Sequence, residues 1–199
     1  MIADHDRHAG ERWADLDLTG AQAEGLTLDD CRLERVELGG ARLPRADLRG
    51  VVFESCSLAN VHAPRAELVR VELRGCRLTG IELAEADTTL LTVEDCRIDL
   101  AGFRHARLPR ARFVGCSLAQ ADFGRADLTG ARFERCDLAG ADVSGARLQG
   151  AVFEGCRLEG LRGVTALRGA RMGWADVIEL AGAFAGEIGI ELIDDDEGG

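Results

Sequence analysis

The chain has 199 residues, of which 46% are hydrophobic, and its 24 arginines and 35 acidic residues give a formal net charge of −11. This length suits one domain with short ends and is sufficient to bury a core. No apolar run reaches eighteen residues and the opening MIADHDRHAGERW is polar, so the sequence predicts neither a membrane span nor a signal peptide.

Residues 1–15 are expected to form an N-terminal tail and cap. His5 and His8 lie among acidic residues, as in a weak metal site, but the density of polar residues favours a disordered segment over residues 1–10. Trp13 is expected to cover the start of the regular region that follows. We predict no metal ion and no cofactor.

A five-residue pattern runs without insertion from Leu16 to Thr165, which is thirty consecutive pentapeptides. Each begins with an apolar, usually small residue, followed by a polar residue, a large apolar residue and two variable residues, as in ARFERCDLAG. A period of five gives an α-helix no apolar face, and on a straight strand it alternates between the two faces. The pattern therefore predicts a short extended segment and a corner in every pentapeptide.

Two further regularities support this geometry. Glycine is frequent at the fifth position, and Pro44, Pro64 and Pro109 immediately precede that position, as expected for β-turns. Cysteines and phenylalanines each recur at multiples of twenty residues, so four pentapeptides close one coil. We predict a structural core built from Cys56, Cys76, Cys96, Cys116, Cys136, Cys156, Phe53, Phe113, Phe133 and Phe153. Buried, inert thiols favour a reducing compartment, and we expect a cytoplasmic protein.

The stretches ADLRG at 46–50, ADLTG at 126–130 and CDLAG at 136–140 resemble the A(D/N)LXX motif of the pentapeptide repeat proteins. The resemblance covers about three quarters of the chain. It implies an all-β solenoid, a right-handed quadrilateral β-helix of about 7.5 coils over residues 16–168.

Beyond the repeats the apolar period changes. Val177, Ala181, Phe184 and Ile188 fall at helical spacing, and Asp176 with Glu179 resembles a capping box. We predict a short helix over 175–187 and a final strand through Ile190 and Leu192. Together they form a cap over 169–193, followed by an acidic disordered tail over 194–199.

The resemblance implies an additional role for the C-terminal helix, because quinolone-resistance members of the family pair through C-terminal helices. A homodimer is therefore an open alternative to capping alone. Its candidate interface comprises Trp174, Val177, Ile178, Ala181 and Phe184.

The sequence contains no catalytic constellation, and its polar positions spread over outer faces without forming a cleft. We predict that the protein is not an enzyme. It is expected to be a binding or scaffold protein that acts through its outer faces on a protein partner. Leu90 and Leu100, apolar residues at corners, are either contacts for this partner or local packing defects.

The resemblance also implies an alternative function, that of a DNA-mimicking modulator of DNA gyrase of the fluoroquinolone-resistance type. Asp47, Glu67 and Asp87 form an acidic ladder at twenty-residue spacing, which favours this function, but Arg107 interrupts it. Residues 16–99 carry a net charge of −6 and residues 100–168 one of +4. No direct binding of nucleic acid is expected.

Overall fold

The computed structural model describes residues 2–191, which form a coil that rises by one strand spacing for every twenty residues. The Leu38 amide donates to the Ser57 carbonyl at 2.7 Å, and the Ser57 amide donates to the Val36 carbonyl at 3.0 Å. The Glu37 amide donates to the Leu16 carbonyl at 2.9 Å, so this pentapeptide is hydrogen-bonded to the coils before and after it. The predicted all-β solenoid is confirmed, with about eight turns.

The strands are short, because a corner follows each of them, and every pairing between them is parallel. They are β1 Arg7–Ala9, β2 Arg12–Ala14, β3 Thr27–Asp29, β4 Arg32–Glu34, β5 Asp47–Arg49, β6 Val52–Glu54, β7 Glu67–Val69, β8 Glu72–Arg74, β9 Asp87–Thr89, β10 Thr92–Glu94, β11 Arg112–Val114, β12 Arg132–Glu134, β13 Val152–Glu154 and β14 Arg171–Met172.

Two of the four faces contain regular sheets. Face A, the sixth to tenth residues of each coil, contains the five-stranded sheet β1-β3-β5-β7-β9, and face B, the eleventh to fifteenth, contains the nine-stranded sheet β2-β4-β6-β8-β10-β11-β12-β13-β14. Faces C and D are held by single parallel bridges such as Asp17 with Glu37 and Arg42 with His62. We number the coils by twenties, from coil 1 at 2–20 to coil 8 at 141–160.

The first and third residues of the pentapeptides fill the interior. The six cysteines at twenty-residue spacing are buried and unbridged, and Phe113, Phe133 and Phe153 stack with ring centroids 5.1 and 5.0 Å apart. The sequence analysis missed a second stack on face D, where Phe103 and Phe123 lie 4.9 Å apart. The C-terminal coils are therefore filled with aromatic rings from two faces.

Residues 2–15 belong to the solenoid, so the expectation of a disordered N-terminal segment is wrong. β1 and β2 pair with β3 and β4 in the same register as all later coils. The pattern is hidden because inward positions in coil 1 hold Asp6, His8 and Glu11, which are covered from one side only. Trp13 is buried, with its ring 4.9 Å from that of His8, and closes the interior at this end.

The cap contains two helices where the sequence analysis predicted one. α1 spans Trp174–Glu179 and α2 spans Ala181–Glu187, and the break falls at Leu180, which is buried as part of the hydrophobic core. A 3-10 helix, Val164–Leu167, precedes them. Ile190 is not in a strand, and Leu192 and the acidic segment 194–199 lie outside the described residues. Between residues 2 and 191 there is no helix with the length and apolar character to cross a membrane.

The predicted capping box is wrong in its register. The carboxylate of Asp176 accepts a hydrogen bond from the Gly173 amide at 2.9 Å, which makes Asp176 the third residue of α1 and Gly173 its N-cap. Glu179 has a different function: its Oε1 accepts a hydrogen bond from the Leu158 amide at 2.9 Å. In earlier coils the equivalent amide donates to a backbone carbonyl of the next coil, as the Leu138 amide does to the Arg157 carbonyl. Glu179 thus replaces a missing coil.

Candidate binding surface

The structure brings the three residues of the acidic ladder together on face A. Asp47, Glu67 and Asp87 lie directly opposite one another on β5, β7 and β9. None of the three is a bare charge. Arg49 contacts both Asp47 at 2.8 Å and Glu67 at 2.9 Å, and Arg107 lies 3.6 Å from Asp87. The ladder is therefore an ion-paired row rather than a continuous negative surface.

Aspartate at the second position of the pentapeptide has a structural role in several coils. In these residues the side-chain Oδ1 accepts a hydrogen bond from the amide two residues later: Asp17, Asp122, Asp127, Asp137 and Asp142. The bonds from Ser144 hold the pKa of the Asp142 carboxyl below its usual range, with a further contribution from Arg162. These aspartates stabilise turns, so their presence alone is not a sign of DNA mimicry.

Charge changes abruptly between two adjacent coils. Coil 5, residues 81–100, has six acidic residues and one arginine, whereas coil 6, residues 101–120, has four arginines and no acidic residue. An acidic belt and a basic belt therefore lie one strand spacing apart, at about 4.8 Å. Asp87 with Arg107 is the direct contact between them on face A. No other adjacent pair of coils between 21 and 160 has so large a step in charge.

Coil 5 also carries two leucines that point into solvent. Leu90 is 61% exposed and Leu100 is 56% exposed, and both have a φ of +59°. They lie on opposite corners of the coil, Leu90 between faces A and B and Leu100 between faces C and D. The left-handed region is unfavourable for residues with a Cβ, but it is the corner conformation of this coil, and sixteen other non-glycine residues adopt it. Those sixteen are all polar, so the fold explains the backbone conformation of Leu90 and Leu100 but not their exposed apolar side chains.

Arginines flank Leu90 along its corner. Arg70 and Arg110 occupy the same corner position in the coils before and after, and both are exposed. Arg70 reaches Asp30 only at 3.9 Å, and Arg110 has no ion pair within the described part of the chain. Leu90 is thus an apolar point between two arginines that are weakly paired or free.

The predicted dimer residues fall into two groups. Trp174 is 77% and Ile178 59% exposed, and Ala181 also faces solvent. Val177 and Phe184 are instead half-buried and line a groove against the 3-10 helix, so they serve the cap.

Among residues 2–191 no group of three or more metal-binding side chains is assembled.

The family model described as a pentapeptide repeat region matches residues 92–162, and that described as pentapeptide repeats matches residues 17–54. Together they cover more than half of the chain. A comparison with curated protein sequences finds no significant match.

Three solved structures illustrate the similarity. A trypsin-treated variant of QnrB1, a plasmid-mediated fluoroquinolone resistance protein, is 17% identical over 95% of this chain and 100% of its own, with a TM-score of 0.44. HetL, involved in heterocyst differentiation regulation in the cyanobacterium Nostoc sp. strain PCC 7120, is 25% identical over 84% and 89%, with a TM-score of 0.33. Rfr23 from the cyanobacterium Cyanothece 51142 is 21% identical over 62% and 86%, with a TM-score of 0.25. On the strength of the family matches and its coil geometry, the chain belongs to the pentapeptide repeat proteins.

Proposed function

We propose that the protein is a non-catalytic binding protein whose outer surface at coils 5 and 6 engages a protein partner. The observation that carries this proposal is the pair of exposed leucines, Leu90 and Leu100, at corner positions where the other non-glycine residues with positive φ are all polar. The positive φ itself recurs along the whole coil, so the unusual feature is the apolar side chain. Leucine at these positions has a cost in both backbone energy and exposed apolar area.

The chemistry around these leucines suits a protein surface better than a small molecule. Leu90 and Leu100 are each more than half exposed, whereas small ligands are largely enclosed in clefts. Protein interfaces combine an apolar anchor with a polar rim. Leu90 with Arg70 and Arg110 has this arrangement, and the adjacent belts of opposite charge orient a partner with a complementary charge step.

The test exploits residues that the fold already accepts at these corners. Arg70 and Arg110 share the corner of Leu90, and Gln120 shares that of Leu100, so Leu90→Arg with Leu100→Gln should fold normally. Proteins that cross-link to the wild type in its native cells but not to this double variant are the expected partners. Gln120→Leu is the matched control and should leave the set of cross-linked proteins unchanged. An identical set with the double variant would overturn the proposal.

Modulation of DNA gyrase is a second candidate function, and the in-register row Asp47, Glu67 and Asp87 favours it. The arginines that pair with this row and the basic coil 6 oppose a continuous negative field, which a duplex mimic needs. A gyrase supercoiling assay with and without a fluoroquinolone, at two salt concentrations, tests it.

In that assay Asp47→Arg with Glu67→Arg should abolish a salt-sensitive inhibition or protection. The matched control, Glu72→Arg with Glu94→Arg, reverses two ion-paired acids on face B and should leave the effect intact. No effect of wild-type protein at micromolar concentration would remove gyrase as a target.

We further propose that a second copy of the chain binds through the exposed side of α1. Trp174 and Ile178 supply its apolar contacts, and both are more than half exposed. Val177, Leu180 and Phe184 pack within the cap. Capping and dimerisation therefore use different side chains of this segment.

A further inference from the structure

The interior of the N-terminal coils is not completely filled. A cavity of about 70 Å³ extends along the coil interior from Ile2 and Trp13 at one end to Phe113 at the other. Every side chain that lines it is apolar. The cavity therefore runs through coils 1–5 and ends where the aromatic stacks begin.

The side chains at the third position of the pentapeptides explain this boundary. On face D the column reads Ala23, Leu43, Ala63 and Leu83 before it reaches Phe103 and Phe123. On face B, Leu73 and Val93 precede Phe113. The backbone repeats the same coil throughout, so smaller side chains inside an unchanged frame leave space that the frame cannot close.

The side chains that line the cavity provide no hydrogen-bond partner for a water molecule. An ordered internal water needs two to four hydrogen-bond partners, and apolar cavities stay dry. The lining atoms lack neighbours on one side and therefore forgo dispersion contacts. A small apolar molecule can restore these contacts without breaking any hydrogen bond.

We propose that this cavity is a binding site for small, uncharged, apolar molecules of about the size of a xenon atom. An engineered cavity of about 150 Å³ accepts benzene. The space of about 70 Å³ here is smaller and is distributed along several coils, so it admits only smaller ligands. The site is independent of the outer surface, because its lining residues point away from it.

Xenon is the probe. Under xenon pressure the wild-type protein should give a saturable, protein-dependent ¹²⁹Xe chemical shift. Trp13 provides a second readout, since it lines the cavity, the chain has no tyrosine and Trp174 is the other tryptophan. In a Trp174→Phe background, xenon should quench the Trp13 fluorescence, whereas iodide, which is charged, should not.

Ala63→Leu is the decisive variant. Ala63 lines the cavity, and leucine already occupies the preceding and following places of its column at Leu43 and Leu83. The variant should lose the saturable shift and unfold at a higher temperature than wild type. Val143→Leu, in the same column beyond the cavity, is the control and should retain the wild-type shift.

If Ala63→Leu does not fold, a second variant that fills the cavity provides the test. Val93→Phe extends the stack of Phe113 by one ring and fills the cavity from face B. The proposal is overturned if wild type shows no saturable xenon shift, or if the shift persists in whichever of the two filled variants folds.

Discussion

The rings of Phe113 and Phe133 stack face to face, with centroids 5.1 Å apart and planes inclined by 4°. The same geometry recurs between Phe133 and Phe153 at 5.0 Å. Both distances lie close to the spacing of adjacent strands, about 4.8 Å. A residue repeated every twenty positions is therefore held in van der Waals contact with its own copies, which makes Phe133 the centre of a continuous stack.

Phe133→Ala should destabilise the protein by about 3–5 kcal/mol, because a cavity opens in a column that the closed coil cannot collapse. Phe133→Leu isolates the contribution of the rings. It should cost about 0.5–1.5 kcal/mol more than Phe53→Leu for each stacked ring pair that it removes. Phe53 is the matched control, since its column neighbours are Leu33 and Leu73.

Chemical denaturation of the wild type and the three variants provides the measurement. Equal destabilisation by Phe133→Leu and Phe53→Leu would show that stacking adds nothing to simple burial.

Glu179→Ala should destabilise the last coil by about 1–3 kcal/mol, because the Leu158 amide would lose its acceptor in a buried position. Hydrogen exchange at the Leu158 amide should accelerate with it. Glu187→Ala, in exposed α2, is the control and should change the free energy of unfolding by less than about 0.5 kcal/mol. Unchanged exchange at Leu158 would rule out the proposed role of Glu179 as a substitute for a ninth coil.

The sequence predicted the interior of the solenoid far better than its ends. Between Leu16 and Thr165 each inward residue lies between equivalent residues of the coils before and after it. It is therefore buried from both sides and has to be apolar, which makes the pattern visible in the sequence. At coil 1 this constraint applies from one side only, which permits polar inward residues such as His8 and hides the coil. At the other end the helix breaks at Leu180, which is buried in the hydrophobic core, and this tertiary burial is not encoded by periodicity within the helix.

The candidate surface was only partly visible in the sequence. The positions of Leu90 and Leu100 at corners follow from the frame, and so does the alignment of Asp47 with Glu67. The ion pairs of Arg49 with both ladder residues depend on side-chain conformations across coils. They could not be read from spacing.

Alkaline pH should destabilise the protein through the buried thiol of Cys136. Interaction with the neighbouring Cys116 thiol, together with burial, raises the pKa of Cys136 to about 11, against about 8.5 for an unfolded cysteine. The folded state holds this proton more tightly, so the stabilisation is complete below about pH 8.5 and is lost as the pH rises through about 11.

Denaturant unfolding at a series of pH values between about 8 and 11 tests this sign. Cys136→Ala should reduce the slope, and alanine fits because it fills equivalent inward positions such as Ala131. A free energy of unfolding that rises with pH in this range would contradict the assignment.

Trp174→Asp with Ile178→Asp should convert a dimer to a monomer without unfolding the cap, because both side chains face solvent. Sedimentation equilibrium gives the oligomeric state and far-UV circular dichroism checks the fold. Glu187→Asp with Ile188→Asp is a control at the exposed end of α2 and should leave the dimer intact. If the wild-type protein sediments as a monomer at micromolar concentration, the dimer proposal is wrong and capping remains the only role of this segment.

Thr88→Val should stabilise the protein. Thr88 is 1% exposed, on β9 opposite Leu68, and its Oγ1 finds no hydrogen-bond partner among the described residues. Leaving a hydroxyl buried without a partner costs about 1–3 kcal/mol, and valine has the same shape without the hydroxyl. A gain of about 1 kcal/mol raises the unfolding temperature by about 2–4 °C for a chain of this size. Thr92→Val, at a half-exposed position on β10, is the control and should shift it by much less. A lower unfolding temperature for Thr88→Val would mean that the hydroxyl has a partner, and that coil 5 owes part of its conformation to that bond.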